Sequence, residues 1–101
     1  MAYKIIWSEN ALQDRLQILD YWFHRLGNKK YSAYLDSQFR DAIKILADLP
    51  EAGRVHPQTN TRFIVKEYYL IFYKFNGNEI HVLHLFDGRR NPKNLSDWFI
   101  K

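Results

Sequence analysis

Two periodicities divide this chain. From Thr61 to Lys66, Tyr69 to Phe75 and Glu79 to Phe86, the residues Ile, Val, Phe, Tyr and Leu dominate short runs, which predicts three β-strands. Asn76-Gly77 separates the second run from the third. Both residues tolerate φ > 0, so the pair predicts a two-residue hairpin loop in an antiparallel meander. That loop sets Lys74 against Glu79, Tyr73 against Ile80, Phe72 against His81, Ile71 against Val82, Leu70 against Leu83 and Tyr69 against His84. Side chains alternate across a strand. Ile71, Tyr73, Ile80 and Val82 therefore share one face, assigned to the core. Leu70, Phe72, Lys74, Glu79, His81 and Leu83 share the other, with Leu85 at its apolar end. This mixed second face is a candidate for cover by a partner.

The N-terminal half follows the helical period. Tyr3 to Trp7 predicts a first strand that joins or edges the sheet, and Ser8 followed by Glu9 reads as a helix N-cap with an acidic first turn. Leu12, Leu16, Leu19, Phe23 and Leu26 recur every three or four residues, predicting a helix that ends near Gly27-Asn28 with this stripe in the core. Asp14, Arg15, Gln17 and Asp20 fall largely outside the stripe and are expected in solvent. A second helix is predicted from Lys30, carrying Tyr31, Tyr34 or Leu35, Phe39, Ala42, Ile43, Leu46 and Leu49, and stopped by Pro50 and Gly53. The short linker makes the two an antiparallel helical hairpin. Residues 51–60 read as a loop. The tail from Asn94 to Lys101, with Leu95, Trp98, Phe99 and Ile100, reads as a short helical turn docked on the body or on a partner.

Composition narrows the function classes. A chain of 101 residues, 47% hydrophobic, supports one core, so residues 1–101 are expected to form one domain. Cysteine is absent, which excludes disulfides and thiolate zinc sites and suits a reducing compartment. No apolar run approaches the roughly 20 residues needed to span a bilayer, and MAYKIIWSEN lacks the apolar segment of a signal peptide, so a cytoplasmic protein is expected. The formal charge is +4, and all of the excess lies from Arg54 onward; residues 1–53 carry seven basic and seven acidic groups. A basic half favours an anionic partner, nucleic acid or an acidic protein segment, although a charged face also serves simply to keep a protein in solution.

Few residues offer chemistry. His81 and His84 stand three apart on one strand, point to opposite faces and do not share a metal ion. There is no glycine-rich phosphate loop and no nucleophile elbow. Cleaving RNA through its 2′-hydroxyl without metal needs a base, an acid and a cation for the phosphorane. His81 or His84 can supply proton transfer, and Arg62, Arg89 and Arg90 can grip phosphate. The bland alternative is a satisfied strand histidine and solvated arginines. Arg89-Arg90 is the less easily dismissed, because it ends a strand in a turn, where function concentrates.

The order β-α-α-β-β-β, with IIWSENA at the first strand–helix junction, LPEAG after the second helix, YYLIFYKF in the central strand and HVLHLFDGRRNP at the end, resembles the RelE/ParE superfamily of toxins from type II toxin–antitoxin modules, also called plasmid-stabilisation proteins. The resemblance spans nearly the whole chain. It implies an α+β fold with a helical hairpin packed on one face of a mainly antiparallel four-stranded sheet. It also implies a cognate antitoxin, a homodimer or a toxin–antitoxin heterotetramer, no cofactor and no metal. The superfamily divides by activity. ParE-like members inhibit DNA gyrase, whereas RelE-like members cleave mRNA on the ribosome without metal, commonly with an arginine two or three residues before a Tyr in the central strand. Here Leu70 stands at that position in Leu70-Ile71-Phe72-Tyr73, and the run looks more like ParE. The resemblance thus implies a ParE-like gyrase inhibitor; the alternatives are a ribosome-dependent endonuclease using Arg62, His84, Arg89 and Arg90, and an inactive antitoxin-binding member. Leu70, Phe72, Leu83, Leu85, Arg89, Arg90, Lys93 and Trp98 are the candidate contacts for a partner.

Overall fold

A computed structural model describes residues 2–59 and 61–88. The element order is β1 (Lys4–Trp7), α1 (Glu9–Leu26), α2 (Lys30–Asp48), β2 (Arg54–Val55), β3 (Arg62–Lys66), β4 (Tyr69–Asn76) and β5 (Glu79–Asp87). These strands form one sheet in the order β1-β5-β4-β3-β2; β1 runs parallel to β5 and every other pairing is antiparallel. The sheet has five strands because Arg54 and Val55, within the expected loop, pair with Phe63 and Arg62. Two exposed residues bounded by Gly53 and Pro57 carry too little pattern to announce a strand.

The meander holds, with a shifted register. Asn76 pairs with Glu79, and the loop is Gly77-Asn78, not Asn76-Gly77. Gly77 takes φ 55° and is the loop's one positive-φ residue, so the turn wants glycine first. The shift is two residues, which leaves the side chains of β4, and of β5 as far as Val82, on their expected faces. Ile71, Tyr73, Ile80 and Val82 are accordingly all fully buried under the helices. A bulge between Phe72 and Tyr73 then breaks the alternation: Tyr73 pairs with Val82, Phe72 with His84, and Leu83 is the extra residue. Beyond it β5 changes parity. Leu85 turns to the helix side and Phe86 to the opposite side, the reverse of the simple alternation.

Helix α1 is stitched to β5 at its start. The Ser8 hydroxyl accepts from the Ala11 amide at 3.0 Å and donates to the Leu83 carbonyl at 2.9 Å, while the Ser8 amide donates to Val82 O at 2.9 Å. Asp14 continues the seam where β1 has run out, accepting from the Leu85 amide at 3.1 Å. Ser8→Ala removes both hydroxyl bonds and should lower stability by about 1–2 kcal/mol. Denaturant unfolding measures this; a loss of only a few tenths would show that water replaces the cap.

The core-facing stripe of α1 differs from the one expected. Ala11 is fully buried, and Ile18, Leu19 and Trp22 pack on the core, with the Trp22 indole donating to the Tyr69 hydroxyl at 2.8 Å. Leu12, Leu16, Phe23 and Leu26 are exposed, Leu16 by 67%. Asp14 and Arg15, expected in solvent, are instead mostly covered: Arg15 Nε meets Asp36 of α2 at 2.6 Å and its guanidinium lies 5.0 Å from the Trp7 ring centre. Helical period reveals an apolar stripe but does not say which face the tertiary structure covers. The reading of α2 survives better. Leu35, Phe39, Ala42, Ile43 and Leu46 are buried, and Leu49, the C-cap just beyond the helix, is exposed.

Candidate partner-binding surface

On the sheet face away from the helices, β3, β4 and β5 bring Phe63, Leu70, Phe72, Leu83 and Phe86 into one apolar cluster. His56, from the loop after β2, packs its ring 6.0 Å from Phe63 and 5.9 Å from Phe72, and the two phenylalanine rings lie 5.5 Å apart. The cluster is graded. Phe72 is fully enclosed and Phe86 nearly so, whereas Phe63, Leu70 and Leu83 are half-buried. Of the expected contact residues, Leu70 and Leu83 therefore offer surface. Phe72 offers none, and Leu85 is buried on the helix side because of the bulge. Arg89, Arg90, Lys93 and Trp98, and the tail expected to form a helical turn, lie outside the described residues.

The exit from β5 is closely packed. The Gly88 amide donates to Tyr68 O at 2.7 Å, closing the chain against the Glu67-Tyr68 turn. A Cβ on Gly88 would stand 2.7 Å from Leu70 Cδ1 and 3.1 Å from that carbonyl. Glycine here lets the end of β5 pass against the rim of the cluster beside Leu70.

The candidate catalytic groups among the described residues are dispersed. Arg62 donates from one terminal nitrogen to the carbonyls of Glu51 at 3.1 Å and Gly53 at 2.8 Å, and its guanidinium carbon lies 5.8 Å from the Phe75 ring centre. His84 sits two strands away, its Nδ1 3.3 Å from Asp14 Oδ2. His81 Nε2 meets Glu79 at 3.1 Å. Each is thus engaged with a different part of the scaffold. No three His, Asp or Glu side chains converge as metal ligands among the described residues.

Arg62 belongs with a residue whose hydroxyl sequence reasoning overlooked. Tyr73 is fully buried; its hydroxyl donates to Pro50 O at 2.7 Å and accepts from the Gly53 amide at 2.9 Å. Burial raises the Tyr73 pKa, while the Gly53 bond and the nearby Arg62 charge oppose the rise. Together Tyr73 and Arg62 hold the carbonyls and amide of the Leu49-Pro50-Glu51-Ala52-Gly53 segment. A tyrosine on the core face of a strand was the available signal, since a buried hydroxyl requires partners.

A helical hairpin thus covers one face of an open, mostly antiparallel sheet, and an apolar cluster lies on the other. The structure matches a chain of the chromosomal ParDE TA system from P. aeruginosa with a TM-score of 0.73 and 19% sequence identity, over 85% of this chain and 96% of that one. At this identity the likeness establishes the fold. The family model described as ParE toxin of type II toxin-antitoxin system, parDE, matches residues 5–92. The chain belongs to the ParE toxin family. No curated protein matches it in sequence.

Proposed function

We propose that this chain acts by binding rather than by cleaving: it inhibits DNA gyrase and is neutralised by a cognate antitoxin in the cytoplasm. The observation that carries this reading is the environment of Leu70. A position that commonly holds an arginine in RelE-like nucleases is here an apolar side chain packed with Phe63, Phe72, Leu83 and Phe86. Arg62 and His84 add support, because both are committed to the scaffold at separate places. Leu70 and Leu83 supply apolar surface for the antitoxin, and an acidic stretch of that partner pairs with Arg89, Arg90 and Lys93. Among the described residues no helix is long and apolar enough to cross a membrane.

The test is a pulse of expression in growing cells, with transcript ends mapped by primer extension beside DNA supercoiling and strand breaks. Relaxed or broken DNA with intact transcripts is the expected result. Codon-phased mRNA cuts with intact DNA would replace the proposal by the ribosome-dependent nuclease, and neither effect would mark an inactive antitoxin-binding member. In the same assay, joint replacement of Arg89 and Arg90 by alanine should abolish growth inhibition while antitoxin binding persists. Undiminished toxicity would remove the pair from the target contact.

A further inference from the structure

The tip of the helical hairpin joins exposed cations to a row of aromatic rings. Residues 21–35 carry Arg25, Lys29 and Lys30 without any Asp or Glu, and they also hold Tyr21, Trp22, Tyr31 and Tyr34. The even charge balance of residues 1–53 hides this local excess. All three cations are exposed. The four rings touch in series from α1 to α2: Tyr21 stands edge-on to Trp22 at 5.1 Å, Trp22 edge-on to Tyr31 at 4.9 Å, and Tyr31 stacks on Tyr34 at 6.0 Å. The inner two are half-buried, whereas Tyr21 is 53% exposed and Tyr34 46%.

Each outer tyrosine has a cation one helical turn nearer the tip. Tyr21 and Arg25 lie four apart on α1 and line one shallow depression with Asp20 and His24, and Lys30 and Tyr34 lie four apart on α2. Lys29 precedes them at the start of α2, after the left-handed Gly27. Tyr34 is held in place: its hydroxyl donates to Glu67 at 2.7 Å, and its ring rests on Tyr31. Two acids border the patch and both are engaged, Glu67 with Tyr34 and Asp20 with His24 at 3.4 Å. Rings interleaved with cations suit a ligand that alternates flat bases with phosphates. An acidic peptide would meet the cations and leave the tyrosines unused, and a duplex keeps its bases stacked on one another. We propose that the hairpin tip binds a single strand of DNA, with Tyr21 and Tyr34 stacking on bases and Arg25, Lys29 and Lys30 contacting phosphates. A ring already fixed by its neighbours loses little freedom when it stacks. The choice of DNA rests on the gyrase reading, because gyrase works on DNA; the binding of a strand does not.

Fluorescence anisotropy of a labelled single-stranded DNA of about 16 nucleotides, titrated with the purified full-length chain in the absence of gyrase, tests it. Saturable binding is expected. Three phosphate contacts release counterions, so the logarithm of the association constant should fall against the logarithm of salt concentration with a slope of about −2. Tyr21→Ala and Tyr34→Ala should each weaken binding on the order of tenfold, whereas Tyr34→Phe, which keeps the ring, should bind as the wild type does. Joint replacement of Lys29 and Lys30 by alanine should flatten the slope by about 1.4. Arg54→Ala, at an exposed position on the far edge of the sheet, should leave it unchanged. No binding at low salt, binding indifferent to both tyrosines, or a loss with Arg54→Ala equal to that of the lysines overturns the proposal. An RNA of the same sequence that binds about tenfold tighter overturns the assignment to DNA. The two readings fail separately: gyrase inhibition by a chain that binds no strand overturns this inference alone, and strand binding by a chain that leaves gyrase active overturns the gyrase reading alone.

Discussion

Alanine at Phe39 is expected to cost about 3–5 kcal/mol, the usual range for deleting a buried phenylalanine ring. Phe39 is fully buried on α2, in the cluster where both helices meet the sheet, and stands edge-on to Tyr69 with ring centres 5.6 Å apart. Tyr69 is in turn the acceptor for the Trp22 indole. A cavity at Phe39 thus loosens the contact of α2 with β4 and the tie from α1 to β4 together. Domains of this size are stable by only about 5–15 kcal/mol, so the variant approaches the unfolding threshold. Urea denaturation measures the effect through the midpoint at constant slope. Phe39→Leu, which retains most of the volume, should lose much less. A loss below about 1 kcal/mol for alanine would mean that the site collapses around the gap.

Alanine at Gly53 should rank second. Its Cβ would lie 2.5 Å from the Tyr73 hydroxyl, 2.7 Å from Tyr73 Cε1 and 2.9 Å from the Phe63 carbonyl oxygen. The tyrosine is held on both sides by hydrogen bonds and cannot swing aside, so either the ring or the segment after α2 must move. Overpacking of this kind costs about 1–3 kcal/mol, and breaking the Pro50 and Gly53 bonds carries the total to the upper end of that range. Tyr73→Phe removes the hydroxyl but leaves the ring. It should cost about 1–2 kcal/mol by itself and should soften the Gly53→Ala penalty when combined with it, because the closest clash disappears. Thermal melting of the two single variants and the double completes the cycle. Strict additivity would show that the hydroxyl is not what excludes a side chain at Gly53.

These two positions also separate what was legible in the chain from what was not. Phe39 was visible: an aromatic at helical spacing among Leu35, Ala42, Ile43 and Leu46 has one natural place. Gly53 was visible only as the end of a helix. Its second role depends on Tyr73, twenty residues away, which no local pattern brings close. The α1 stripe failed in the other direction. Leu12, Leu16, Leu19, Phe23 and Leu26 make the more regular apolar face, yet the body covers Ala11, Ile18 and Trp22 and, of that stripe, Leu19 alone. The seam from Ser8 and Asp14 to Val82, Leu83 and Leu85 fixes the rotation of the helix, and polar hydrogen bonds override the leucine pattern.

Periodicity, turn residues and caps determined the number and order of the helices, the antiparallel meander and the core face of Ile71, Tyr73, Ile80 and Val82, because each of these follows from neighbours within a few residues. Tertiary structure alone decided the side on which Leu85 and Phe86 stand, the burial of Phe72, the engagement of Arg62 and His84, and the exposure of α1. A one-residue bulge reverses strand parity, and a helix turns on contacts many residues distant; both depend on long-range pairings that carry no local signal.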